Sequence, residues 1–184
     1  MYRDNSLMPK EAIRLAALGT LHQSGPMRYA DLATSIRRFT GRIVGPSLDL
    51  MGTSLEMLRY EGLTEALEGT GMEDNALIRL TGTGYAVFLS LMRANIRSPS
   101  SDDLNKLVIT LKLRFLHHLD PAEQHDQIDA LTGLAETERA RLRDLRQGYA
   151  DEPGHLVAWL DHDLAQIEAR LEWFASLRQT LRPQ

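Results

Sequence analysis

The chain is expected to be mainly α-helical with a small β-hairpin, built as a compact first part and a tail of long helices. Three observations predict this. Apolar residues recur at helical spacing from Ile13 to Leu58 and again from Leu104 to Leu181. Between these runs, Leu63 to Glu68 and Ala76 to Leu80 flank a turn holding Gly69, Gly71 and Asn75, residues that accept positive φ. Arg97-Ser-Pro-Ser-Ser101 is a breaker cluster, and it divides residues 1–97 from residues 98–184.

In the first part, Pro9 suits the opening turn of a helix, in which Ile13, Ala16, Ala17 and Leu21 form one apolar stripe until Gly25-Pro26 stops it. Tyr29, Leu32, Ala33 and Ile36 repeat the pattern in a second helix, and the Gly41 to Pro46 region separates it from a third. Ser47 suits the N-cap of that third helix, whose inward stripe is Leu48, Met51, Leu55 and Leu58 and which Gly62 ends in a left-handed cap. Three helices, a hairpin and a helix returning after Leu80-Thr-Gly-Thr-Gly84 make a winged helix-turn-helix, with the third helix as recognition helix and the hairpin as wing.

In the second part, Leu104, Leu107, Val108, Leu111 and Phe115 form one stripe and Ile109, Leu113 and Leu116 another, so this helix must be covered on two sides. Asp120-Pro-Ala-Glu123 reads as an N-cap, a first-turn proline and a capping-box glutamate. Ile128, Leu131, Ala135, Leu142 and Leu145 follow at close to seven-residue spacing, a helix-pairing pattern. After a turn over Gly148 to Gly154, Leu160, Leu164, Ile167, Leu171, Phe174 and Leu181 mark a last amphipathic helix. Such helices bury their stripes either by folding back within one chain or by pairing with a second copy. Residues 98–184 are expected to form a dimerisation domain, because a reader of palindromic DNA needs twofold symmetry.

A chain of 184 residues supports one or two compact units. It has no cysteine, which excludes disulfides, thiolate metal sites and cysteine nucleophiles. With no signal-peptide core and no apolar stretch long enough to span a bilayer, a cytoplasmic protein without membrane contact is expected. The net charge of −4 is unevenly spread: residues 1–97 hold 11 Lys+Arg and 10 Asp+Glu, residues 98–184 hold 10 and 15. That suits a DNA-contacting head on an acidic body, and equally an ordinary solvated surface. Neither a Gly-x-Ser-x-Gly, a phosphate loop nor a metal-ligand histidine pair occurs, so no enzyme activity and no cofactor are expected.

Base readout would fall to polar groups on the outward face of the recognition helix, and phosphate contacts to cations nearby. The candidates are Ser47, Thr53 and Arg59 on that helix and Arg37, Arg38 and Arg42 before it; each arginine has a salt-bridged surface as its plain alternative. Glu65, Glu68, Glu73 and Asp74 outnumber Arg79 in the wing, and an acidic wing repels phosphate. Hence the competing reading: a winged-helix protein-protein interaction module with weak or lost DNA binding. The run His117-His118-x-Asp120-x-x-Glu123-x-His125 straddles a helix end and a helix start without zinc spacing, so no metal site is expected.

These motifs together resemble the PadR family of transcriptional regulators over nearly the whole chain. The likeness is carried by Gly25-Pro26-Met27-Arg28-Tyr29-Ala30-Asp31-Leu32, by Leu58-Arg59-Tyr60-Glu61-Gly62-Leu63 and by Leu80-Thr81-x-x-Gly84. The tail resembles the longer, virulence-activator type. Leu50-Met51-Gly52 replaces the family's small-residue-Leu-Tyr step, and Arg28 replaces a usual glycine. The resemblance implies a homodimeric repressor on double-stranded DNA at a palindromic promoter site. It further implies a small aromatic effector, for which Trp159 and Trp173, two heptads apart, are the candidate pocket; large residues packing core or interface are the alternative.

Overall fold

A computed structural model of the chain describes Leu7 and residues 9–44, 51–71, 74–96 and 103–181, with the backbone alone for 51–54. The order is α1 (Pro9–Ser24), β1 (Met27–Arg28), α2 (Tyr29–Val44), α3 (Met51–Tyr60), β2 (Thr64–Glu68), β3 (Leu77–Leu80), α4 (Gly82–Arg93), α5 (Asp103–Phe115), a 3-10 turn (Leu116–His118), α6 (Pro121–Gly148) and α7 (Leu156–Thr180). It falls into two compact units, one holding α1 to α5 with the sheet and the other the 3-10 turn, α6 and α7.

In the first unit α1 is central. Every residue from Leu15 to Leu21 is buried, not one stripe alone, because α2, α3, α4, α5 and β3 all pack on this helix. Phe115 of α5 enters at Gly19, where a β-carbon would lie 2.5 Å from the ring. Phe115 also meets Phe88 of α4 edge-on at 5.9 Å between centroids, so α5 is part of this core. The break drawn between residues 97 and 98 lies outside the described residues, and the helix that follows it packs into the first unit.

The three helices, hairpin and returning helix of a winged helix are all present. The sheet is antiparallel in the order β1-β3-β2, with Thr64 opposite Leu80, Glu65 opposite Arg79 and an irregularity between Ala66 and Glu68. β1 was not expected: Met27 and Arg28 add a two-residue edge opposite Ile78 and Leu77. α2 runs on through Gly41 to Val44, while Ser47 and Leu48 lie outside the described residues. α3 closes in a Schellman turn: Gly62 has φ +70°, its N–H donates to the Arg59 carbonyl at 2.9 Å and Leu63 N–H to that of Leu58 at 2.8 Å.

In the second unit α6 and α7 pack as an antiparallel pair. Arg178 pairs with Asp129 at 2.6 Å, Arg143 with Glu168 at 2.6 Å, and Arg146 with Asp161, a ladder in which one number rises as the other falls. Ile128, Leu131 and Ala135 of α6 and Leu160, Leu164, Ile167 and Phe174 of α7 are buried. Leu145 is exposed, so the expected stripe of α6 is buried only in its first half. Asp120 stands at the N-cap of α6 with Pro121 behind it, but its side chain makes no capping hydrogen bond.

Candidate nucleic-acid interface

The α3-wing assembly is held by side chains drawn from the sequence motifs. Thr81 caps α4 by accepting from Gly84 N–H at 3.0 Å, and its hydroxyl donates to the Gly62 carbonyl at 2.7 Å, tying the end of α3 to the start of α4. Asn75, at φ +51°, accepts from Ala30 N–H at 2.8 Å, so the wing turn caps α2 from a distance. Leu55 and Leu58 of α3 are buried, and Tyr60 is 74% exposed at its end.

The wing is acidic in composition, yet its described acids are each engaged. Glu65 takes a 2.6 Å ion pair from Arg79, its cross-strand partner, and Glu68 a 2.7 Å pair from Arg28 of β1. Asp74 accepts from Thr70 N–H at 2.6 Å, Thr70 hydroxyl at 2.9 Å and Gly71 N–H at 2.9 Å. These donors, the Gly71 and Thr70 amides first, hold its carboxyl below the usual carboxylate range. Glu73 lies outside the described residues.

The expected contact residues are distributed as follows. Arg37, Arg38 and Arg42 stand exposed on α2, and none makes an ion pair among the described residues. Arg59 is engaged inside the domain: its guanidinium donates to the Thr70 carbonyl of the wing turn, lies 4.0 Å from Glu56 and sits 5.4 Å from the Tyr60 ring. Thr53 falls on α3, but its side chain, like Ser47, lies outside the described residues. Trp159 and Trp173 belong to α7 and are 61% and 50% exposed. Among the described residues no group of three or more histidines and acids could hold a metal ion.

One cation escaped the sequence reading. Arg114 of α5 faces α2, its guanidinium carbon 4.7 Å from the Phe39 ring centroid and 4.9 Å from that of Phe115. Together with Thr34, Ser35, Arg38 and Arg42 it lines an open groove of about 530 Å³. A tail assignment for α5 hid it; the only sequence signal was a cation flanking the apolar stripe.

The family model described as "Putative AphA-like transcriptional regulator" matches residues 2–178. Its members are regulators rather than enzymes, in agreement with the resemblance drawn from the Gly25-Pro26, Gly62-Leu63 and Leu80-Thr81 motifs. No curated protein matches the chain. Among solved structures, a PadR-like transcriptional regulator from Bacillus cereus is 18% identical, the alignment covering 92% of this chain and 95% of that one at a TM-score of 0.36. No helix among the described residues is long and apolar enough to cross a membrane.

Proposed function

We propose, because the chain belongs to the AphA-like family of transcriptional regulators, that it binds double-stranded DNA through the winged-helix unit and acts as a dimeric repressor at a palindromic promoter site. The observation that carries this reading is electrostatic. Arg37, Arg38 and Arg42 project from α2 without ion pairs among the described residues, while the described acids of the wing are neutralised by Arg79 and Arg28 or committed to the turn. The repulsion expected from Glu65 and Glu68 is thereby reduced, while Asp74 keeps its charge within the turn. In this reading residues 1–97 form the DNA-binding domain, Arg37, Arg38 and Arg42 neutralise phosphates, Ser47 and Thr53 influence base choice, and Arg59 fixes the angle between α3 and the wing.

Residues 98–184 supply the dimer in this proposal, chiefly through α6 and α7. Support comes from Leu145, Tyr149, Leu156, Trp159 and Trp173, large apolar side chains left exposed on this helix pair. A small aromatic effector would stack on the indoles. The experiment is a titration of the DNA upstream of the protein's own gene at several salt concentrations, with Arg37, Arg38 and Arg42 replaced together by alanine. Affinity and salt slope should both fall in the variant. A second reading, a protein-binding module, is favoured by the exposure of Met57, Tyr60 and Leu67 on α3 and the wing, and absence of any salt-dependent DNA binding by the wild type would select it.

A further inference from the structure

We propose that the groove between α2 and α5 is a phosphate-binding site in which Arg114 joins Arg38 and Arg42 around the oxyanion. The site uses the basic α2 surface of the proposed function but does not require DNA as its ligand.

Ser35, Arg38 and Arg42 are spaced three, four and seven residues apart, so they share one face of α2, Thr34 stands one turn before Arg38, and Arg114 forms the opposing wall from α5. Arg38 and Arg42 are a like-charged i,i+4 pair, an arrangement that mildly destabilises a helix. A third guanidinium is then brought to the same groove from another helix. No ion pair involving these three is found among the described residues, so no paired carboxylate offsets the repulsion among them; a bound anion would offset it. Asp31, the groove's carboxylate, lies at its far end, about 10 Å along the helix axis from Arg38 and about 16 Å from Arg42.

Arg114 is also held ready. Phe39 and Phe115 take its planar group on their rings and leave it half-buried. Partial burial pushes its pKa below the usual guanidinium value, the response of a charge that has lost water without gaining a counter-ion. A planar fork so placed suits two oxygens of a phosphate, and the Thr34 and Ser35 hydroxyls add donors along the floor. The groove, at about 530 Å³, takes either a phosphate of a DNA backbone or a free phosphorylated small molecule.

The test uses the full chain and two probes, inorganic pyrophosphate by calorimetry and a fluorescein-labelled duplex of random sequence by anisotropy across a salt series. Arg114→Gln and Arg38→Gln should each weaken binding of at least one probe on the order of tenfold. Arg114→Lys should recover part of the loss by retaining charge without the fork. Loss confined to the duplex, with a salt slope lower by about one, assigns a backbone phosphate. Saturable pyrophosphate binding that both glutamine variants lose assigns a free phosphorylated ligand, and competition between the probes assigns one site to both. Wild-type affinity for both probes in Arg114→Gln, with unchanged circular dichroism, overturns the proposal whatever Arg38→Gln does. If Arg114→Gln does not fold, Arg38→Gln and Arg114→Lys decide, and wild-type affinities in both overturn it. A wild type that binds no duplex refutes the DNA reading, and the pyrophosphate arm then judges the groove.

Discussion

Gly84 lies so close to the carbonyl oxygen of Leu63 that no β-carbon fits between them. The same Leu63 carbonyl accepts from Thr81 N–H at 3.1 Å, so the start of α4 is pressed onto the residue that leaves α3. This gives the Leu80-Thr81-x-x-Gly84 motif a physical reason: threonine caps the helix and glycine lets it approach.

Gly84→Ala should therefore destabilise the first unit by about 2 kcal/mol or more, since the clash is with backbone and cannot be relieved by a rotamer. Gly133, inside α6 with nothing within 4 Å of a β-carbon, is the control. Gly133→Ala should stabilise by about 0.5–1 kcal/mol. Thermal denaturation of the two variants should shift in opposite directions.

Asp74 is a pH-dependent fastener of the wing turn. Its carboxyl is held below the ordinary range by the Gly71 and Thr70 donors, so its contribution is complete above the unfolded carboxylate value and is lost as pH falls through the lower folded one. Asp74→Ala should speed amide exchange at Thr70 and Gly71 at neutral pH. Wild-type protection there should decline on acidification while the variant's lower protection responds less.

Lys112 is buried in α5, and its ammonium donates to the Met92 carbonyl at the end of α4. Desolvation lowers its pKa from 10.5 to about 8. Between these values the unfolded chain binds more protons than the folded one, so this residue makes stability rise with pH from about 8 to 10.5. The full rise is roughly 3 kcal/mol at most. Lys112→Met should remove it, read as the difference between wild type and variant in denaturant unfolding at pH 7.5 and pH 10. An equal pH response in both proteins would contradict the assignment.

On α7, exposure separates two kinds of apolar residue. Ile167→Asp should loosen the α6-α7 pair itself, at a cost of about 3 kcal/mol or more, because Ile167 is buried there. Trp159→Ser with Trp173→Ser should leave helicity unchanged and weaken self-association roughly 30-fold or more, as hot-spot aromatics do. Sedimentation together with circular dichroism distinguishes the outcomes; a tryptophan variant that associates like wild type would put the contact of the proposed dimer elsewhere.

Periodicity made the helices legible, and the positive-φ residues Gly62, Gly69 and Asn75 made the hairpin legible, because both signals are local. What escaped depends on partners distant in sequence. α1 shows a single stripe in its pattern, yet five elements surround it. β1 has no signature in two residues and exists because β3 offers it an edge. The wing's acidity could be counted, but its neutralisation required the register that sets Glu65 opposite Arg79. At the candidate interface, the exposed arginines of α2 were legible from amphipathicity, whereas Arg59's bond to Thr70 and Arg114's position beside Phe39 arise only when turn and helices meet.

The internal pairing of the wing also bears on kinetics. Charges cancelled over a few ångströms leave a field that decays fast, so a strand carrying Glu65 and Glu68, each paired with an arginine, does little to turn away a distant polyanion. The uncompensated guanidiniums of α2 dominate at long range among the described side chains of α2 and the wing. Diffusional encounter would thus be oriented by one helix, and ionic strength would act first on the association rate rather than on residence time.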